Sequence, residues 1–209
     1  RLLVDELNHR VKNMLTVVLS LASQTRRGAQ SFDAFWDAFM GRLRALATAY
    51  ELLSRDHWTD IPLHDVLTEE LTPYMTPGRS NITLGGPPIF LRPKGALAFG
   101  MVVHELATNA LKHGALSVHD GRVDLSWQIE EGAEPGQETL QWTWRESGGP
   151  AVPTPERLGF GLSLVDRSLR HEMNGTAKVD FAAGGLQVQV RVPFDPLIVA
   201  RQTSRLHQA

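Results

Sequence analysis

The sequence predicts an α+β protein, an N-terminal antiparallel helical hairpin followed by an α/β sandwich. Apolar residues recur at steps of three and four through two long segments before residue 56, which is the spacing of helices that share a seam. After Trp58 the texture changes to short alternating segments placed between helical ones. Two of these, Arg122–Glu130 and Thr139–Glu146, alternate and are split by a polar loop, as paired antiparallel strands do. The expected division is 1–58 for the hairpin, 59–195 for the sandwich and 196–209 for a polar, uninformative tail.

In the first segment the apolar positions are Leu3, Leu7, Val11, Met14, Val18 and Leu21. Arg26, Arg27 and Gly28 supply the basic residues and glycine that suit a helix C-terminus. Ser31 is placed to cap a second helix, running through Phe35, Phe39, Leu43, Leu46, Tyr50 and Leu53 to about Arg55. One hairpin encloses little interior, so the seam predicts pairing with a second copy into a four-helix bundle. Beyond it, a helix is expected near Pro62–Tyr74, then short strands at Asn81–Leu84 and Ile89–Leu91. A long helix follows at Pro93–His113, and another at Gly161–Met173. Thr176–Phe181 and Leu186–Phe194 form a closing hairpin around Gly184 and Gly185.

Composition narrows the function classes. With 42% hydrophobic residues in 209, a core of useful size can form. A net charge of −2 gives no reason to expect nucleic acid or a membrane surface as partner. The absence of cysteine excludes disulfides and thiolate metal sites, and fits a cytoplasmic location. No apolar run reaches the ~18 residues of a membrane span. Because Arg1 already stands at the start of a helical pattern, an upstream segment is expected to be missing.

At ~100° per residue, His9 lies ~200° from both Leu7 and Val11, on the side away from the seam. Asp5, Asn13, Thr16 and Ser20 fall within ~40° of it and draw a polar stripe. Taken alone, the stripe is more simply a solvated helix face that happens to include a histidine, since such faces are common. The functional alternative rests on chemistry. A neutral imidazole nitrogen is a competent nucleophile near neutral pH. Asp5 or Glu6 could fix its tautomer, Asn13 could bond the ring or phosphoryl oxygens, and Arg10 and Lys12 could hold incoming negative charge.

Glu105, Asn109 and Lys112 occupy positions i, i+4 and i+7 of the long helix and share a face. An amide oxygen for a hard cation and a lysine for phosphate would suit a nucleoside triphosphate with magnesium, although a solvated face would also look like this. Within Leu140, Trp142, Trp144 and Glu146, period two places the carboxylate on the same side as three large apolar residues. An ionised acid there is costly unless paired, and an exocyclic adenine amine is a suitable donor, although a frayed strand end with Glu146 turned to water would read the same way. Gly148, Gly149 and then Gly159-Phe160-Gly161 precede the next helix, where backbone N–H groups can approach phosphate.

Taken in order, these segments resemble the HWE family of sensor histidine kinases. Glu6-Leu7-Asn8-His9-Arg10-Val11-Lys12-Asn13 resembles its phosphoacceptor box, and His104 to His113 its N box. Trp144-Arg145-Glu146 with Gly148-Gly149-Pro150 is similar to its Trp-x-Glu element, and Gly159-Phe160-Gly161-Leu162 to its second glycine box. The resemblance covers residues 2–194. It implies a dimerisation and phosphotransfer hairpin followed by an ATP-binding sandwich of the Bergerat (GHKL) type. It further implies that Glu146 holds adenine, that Asn109 binds Mg, and that Glu105 stands where related ATPases keep a general base. His104, Lys112 and His113 would lie near the nucleotide, with Gly148, Gly159 and Gly161 in the loops around it. The implied reaction phosphorylates His9 from ATP and passes the group to an aspartate of a response-regulator receiver domain, in a homodimer. Arg10 follows His9 where broader histidine kinases place an acid, which leaves the base for His9 unassigned.

Two other readings use the same residues. A Bergerat-type ATPase driving a conformational clamp would need Glu105 and Asn109 but would leave the His9 hairpin idle. A phosphotransfer adaptor with a degenerate second domain would lose the adenine acid and lid glycines, both of which are present.

Overall fold

The computed structural model describes residues 2–55, 60–132, 137–151, 173–182, 184–194 and 198–199, together with Leu162, Val165, Leu169 and Arg170. For residues 2–10, 13, 52–55 and 198–199 it describes the backbone alone.

The hairpin forms as the seam predicts. Helix α1 spans Leu2–Gly28 and α2 spans Phe32–Arg55. Ser31 caps α2, its Oγ accepting from Ala34 N–H at 3.1 Å and its carbonyl from Phe35 N–H at 3.0 Å. Leu21 of the α1 seam is buried, but Val11 and Met14 remain 42% and 37% exposed in the single chain. On α2 the buried ridge is Arg42, Ala45, Leu46 and Ala49. That ridge packs on the sandwich, so the hairpin and the second half of the chain touch through α2.

Next come β1 (Ile61–Pro62), α3 (Leu63–Leu71), β2 (Ile82–Gly85), β3 (Phe90–Leu91) and α4 (Pro93–His113). The helix expected over Pro62–Tyr74 is thus α3 followed by a single 3-10 turn at Thr72–Tyr74, where Pro73 interrupts the α-helical pattern. Pro93 opens α4 at a position where its missing N–H costs nothing. Strands β4 (Arg122–Glu130), β5 (Thr139–Ser147), β6 (Thr176–Ala182) and β7 (Gly185–Pro193) complete a sheet of order β2-β4-β5-β7-β6. Only β2 and β4 run parallel; the other neighbours are antiparallel. The tail contributes one feature its sequence did not suggest. Ile198–Val199 (β8) pairs with β3, which also pairs with β1, in a second small sheet.

Alternation puts Val123, Leu125 and Trp127 of β4, Leu140, Trp142 and Trp144 of β5, and Val188, Val190 and Val192 of β7 on one face. That face meets α3 and α4, and Phe99 of α4 stands edge-on to Trp142 at 6.5 Å between ring centres. The opposite face carries Gln128 and Gln141, opposite each other and bonded at 2.6 Å. Leu162, Val165, Leu169 and Arg170 are helical and the first three are buried. The remainder of the helix expected at Gly161–Met173 lies outside the described residues.

Candidate functional site

Helix α4 is the spine of the site. Its inner face (Phe99, Val103, Leu106, Ala110) fixes it on the sheet, which turns His104, Glu105, Thr108 and Asn109 toward α2 and α3. A cavity of about 750 Å³ opens there. Asn109, Lys112 and His113 stand on its α4 wall, Trp36, Asp37 and Arg44 on its α2 wall, and Tyr74 at its α3 end. Lys112 and His113 are exposed, while Asn109 is half-buried. Tyr74 is held by its hydroxyl against Thr108 Oγ1 at 3.1 Å.

At the deep end of this cavity Glu105 is taken up by the hairpin. Its Oε1 accepts from Arg42 Nε at 2.6 Å and its Oε2 from Arg42 Nη2 at 2.8 Å, a two-pronged pair with side chains 9% and 4% exposed. The third prong, Nη1, donates to Thr25 Oγ1 on α1 at 3.0 Å. One guanidinium therefore ties α1, α2 and α4 together.

Beside this pair lies Glu70 of α3, with Oε2 3.7 Å from His104 Nδ1 and with no hydrogen-bond partner for Oε1 among the described residues. The 3.7 Å gap is too long for a hydrogen bond, so burial decides the charge state. Burial, with Glu69 adding repulsion, pushes the Glu70 carboxyl up to about 8. Burial also holds the His104 imidazole below its ordinary value. Near neutral pH the two face each other uncharged. The consequences for stability have opposite signs. Native Glu70 keeps a proton that the unfolded chain has lost, so its contribution falls as pH rises from about 4.5 through about 8. His104 stays neutral where the unfolded chain takes up a proton, so its contribution is lost as pH falls below 6.5. Glu70→Gln should remove the first slope. At pH 9 the variant is expected to be more stable than the parent by a few kcal/mol, each unit of displacement being worth about 1.4 kcal/mol. Urea unfolding at pH 6 and pH 9 checks this, and a variant equally less stable at both would show that Glu70 acts only through its shape.

Glu146 lies one residue before the end of β5 on the buried side, as the alternation predicts, and is 3% exposed. Burial raises its carboxyl above the ordinary range, partly offset by two donors. Ala115 N–H donates to Oε2 at 2.8 Å and Trp144 Nε1–H to Oε1 at 3.1 Å. A Cβ on Gly114 would run into this carboxylate, so glycine there lets the chain leave α4 over it. Gly148 has φ +68°, in the left-handed region that favours glycine, and turns the chain back after β5.

The structure thus brings His104, Glu105, Asn109, Lys112 and His113 to one cavity. Glu146 is not on its wall; it lies just beyond, under the residues that follow His113. His9, Arg10 and Asn13 belong to α1, but their side chains, with Gly159 and Gly161, lie outside the described residues. Arg42, Thr25 and Glu70 were not read from the sequence as site residues. The signal was available for all three: Thr25 follows Leu21 at the next step of four in the α1 seam, and Glu70 falls on the stripe of Leu63, Val66, Leu67 and Leu71. Arg42 falls three residues after Phe39 and four before Leu46, a basic residue at a seam position.

The family model of HWE histidine kinases matches residues 6–88. A blue-light-activated histidine kinase of Brucella ovis is 34% identical over 191 residues, 91% of this chain. Residues 6–88 of the chain thus match the HWE histidine kinases, and most of its length is similar to blue-light-activated histidine kinases. A Brucella anthropi protein of the same description is 35% identical over 193 residues, 92% of the chain. The chain spans 39% of the length of each of these relatives. Among solved structures, the histidine kinase domain of a blue-light activated histidine kinase from Erythrobacter litoralis superposes with a TM-score of 0.57 at 19% identity, covering 86% of this chain and 83% of that one. A longer structure of that protein gives 0.60 at 21% identity, covering 90% and 58%. These two show a shared fold, a helical hairpin followed by an α/β sandwich. Among the described residues, no helix is long and apolar enough to cross a membrane.

Proposed function

We propose that this chain is the autophosphorylating core of a two-component system, transferring the γ-phosphoryl group of ATP to His9 and onward to a receiver-domain aspartate. The supporting observation is the placement of Asn109, Lys112 and His113 on one wall of a cavity large enough for a nucleotide, next to the loop that Glu146 holds. The donor set suits a triphosphate: a half-buried amide and, beside it, an exposed ammonium and imidazole. Mg, which takes oxygen ligands and keeps several waters, would be held by the Asn109 carbonyl and would neutralise phosphate charge. Lys112 and His113 would orient the triphosphate, and Gly148, Gly159 and Gly161 would let backbone approach it. The His9 nitrogen would form a bond to the γ-phosphorus as the bond to the ADP oxygen breaks, its ring proton leaving to a base. Arg10 and Lys12 would offset the charge gained, with Asn13 close by on α1.

The half-covered α1 seam supports a homodimer, with the hairpins as its bundle and the sandwich as a separate ATP-binding domain. Incubating the chain with γ-labelled ATP and magnesium tests the reading. Label on protein that is lost in acid and kept in base is expected, whereas phosphate release without protein label would favour the ATPase clamp.

The adenine end of the site has its own test. Each oxygen of Glu146 already accepts one proton and retains a lone pair for another donor. Glu146→Gln turns one acceptor into a donor and should lower ATP affinity by ~10–100-fold, since a hydrogen bond to a charged group is worth about 1.5–3 kcal/mol. Inosine triphosphate carries a carbonyl in place of the amine and should lose less, or gain. Calorimetric titration of both nucleotides decides. Equal weakening would mean that Glu146 supports the loop without reading the base.

A further inference from the structure

The direction of α4 along the hairpin places the phosphate-binding end of the candidate site far from His9. Near its start α4 faces Thr16, Leu21 and Leu46 through Leu97 and Met101. In its middle Glu105 meets Arg42 and Thr25. At its end Lys112 and His113 share the cavity with Trp36 and Asp37, beside the turn between α1 and α2. Thr25 lies sixteen residues after His9 on one continuous helix, which is ~24 Å along the axis at ~1.5 Å per residue. Asn109 and Lys112 lie further toward the turn. While Arg42 holds both carboxylate oxygens of Glu105, this acid is sealed and the triphosphate end of α4 is parked at the wrong end of the hairpin.

We infer that the Arg42–Glu105 pair, braced by Thr25, is an autoinhibitory latch between α2 and α4 that must open before His9 can receive a phosphoryl group from this chain's ATP site. The inference rests on the kinase reading given above. A latch of this kind has the right properties. It joins the hairpin to the ATP-binding half through side chains rather than shared backbone. Its two oxygens and two N–H groups are mutually satisfied when closed, and each partner becomes a charged group needing water when parted. The neighbouring Gly41 lets α2 come down on the His104 ring, where an added Cβ would stand 3.2 Å from Nε2, so a close fit surrounds the pair.

The test uses Arg42→Met, which keeps most of the stem and removes the charge, and Thr25→Val, which removes only the brace. Autophosphorylation at saturating ATP, ATP affinity and amide hydrogen exchange are measured on the whole chain. With Arg42→Met the labelling rate is expected to rise about tenfold, within the usual span for coupling between two sites. ATP affinity should stay at the parent value, and exchange should quicken in 37–49 and 101–113. Thr25→Val should move rate and exchange the same way by less, and keeps the question answerable if Arg42→Met does not fold. A parent that labels while both folded variants label no faster overturns the latch. Faster exchange in the variants, with no acid-labile label on any protein, instead removes the kinase reading and leaves Arg42–Glu105 as a purely structural tie.

Discussion

His9→Ala is expected to abolish acid-labile phosphorylation completely while leaving ATP affinity unchanged. The two properties separate because the residues assigned to the nucleotide lie on α4 and β5, whereas His9 sits in the N-terminal third of α1. The two histidines on the cavity wall are committed elsewhere. His104 is pressed between α2 and Glu70, and His113, which is exposed, stands on the wall assigned to the nucleotide. Labelled ATP followed by acid and base treatment reads the first property, and calorimetry reads the second. Acid-labile label surviving in the variant would move the phosphoacceptor elsewhere.

Asn109→Ala should be almost as severe, for a different reason. Asn109 is the half-buried amide on the cavity wall, and a magnesium ion on a triphosphate commonly takes only one or two oxygens from protein. Removing one preorganised group at a developing charge costs about 100-fold or more in rate. Labelling should therefore fall by at least that factor at ordinary magnesium, with the fold intact by circular dichroism. Asn109→Asp should fail as well, because it changes the charge beside the phosphates. Activity persisting in both at ordinary magnesium would make another residue the ligand.

The strands and α4 were legible because burial imposes a period on them. β5 shows Leu140, Trp142, Trp144 and Glu146 on the buried side, as a period of two requires. The Ser31 cap and the boundaries of α4 followed from side-chain chemistry local to a few residues. The Arg42–Glu105 pair was not legible in the same way, since its partners are 63 positions apart and only the docking of α2 on α4 brings them together. The state of Glu70 also depends on packing from another helix. On α3 its spacing puts it on the buried face with Leu63, Val66, Leu67 and Leu71, but that Gly100 of α4 and His104 close over it is set by packing. For Glu146 the sequence read the direction of the side chain correctly, but not that Ala115 and Trp144 already donate to it.

The strand order also bears on how the chain reaches this state. β4 with β5, and β6 with β7, are neighbours in sequence, so each pair can zip locally. The ladder that unites them, β5 on β7, matches Trp142 to Val190 and Trp144 to Val188 across some forty intervening residues. Closing that larger loop must precede any gain from the contact, so this seam and the parallel β2–β4 ladder are the slow joins of folding. Both tryptophans are buried at the first of these joins and also face Trp127 and Leu125 within the β4–β5 hairpin, so their fluorescence should change in two stages, once as that hairpin zips and again as β7 closes on it.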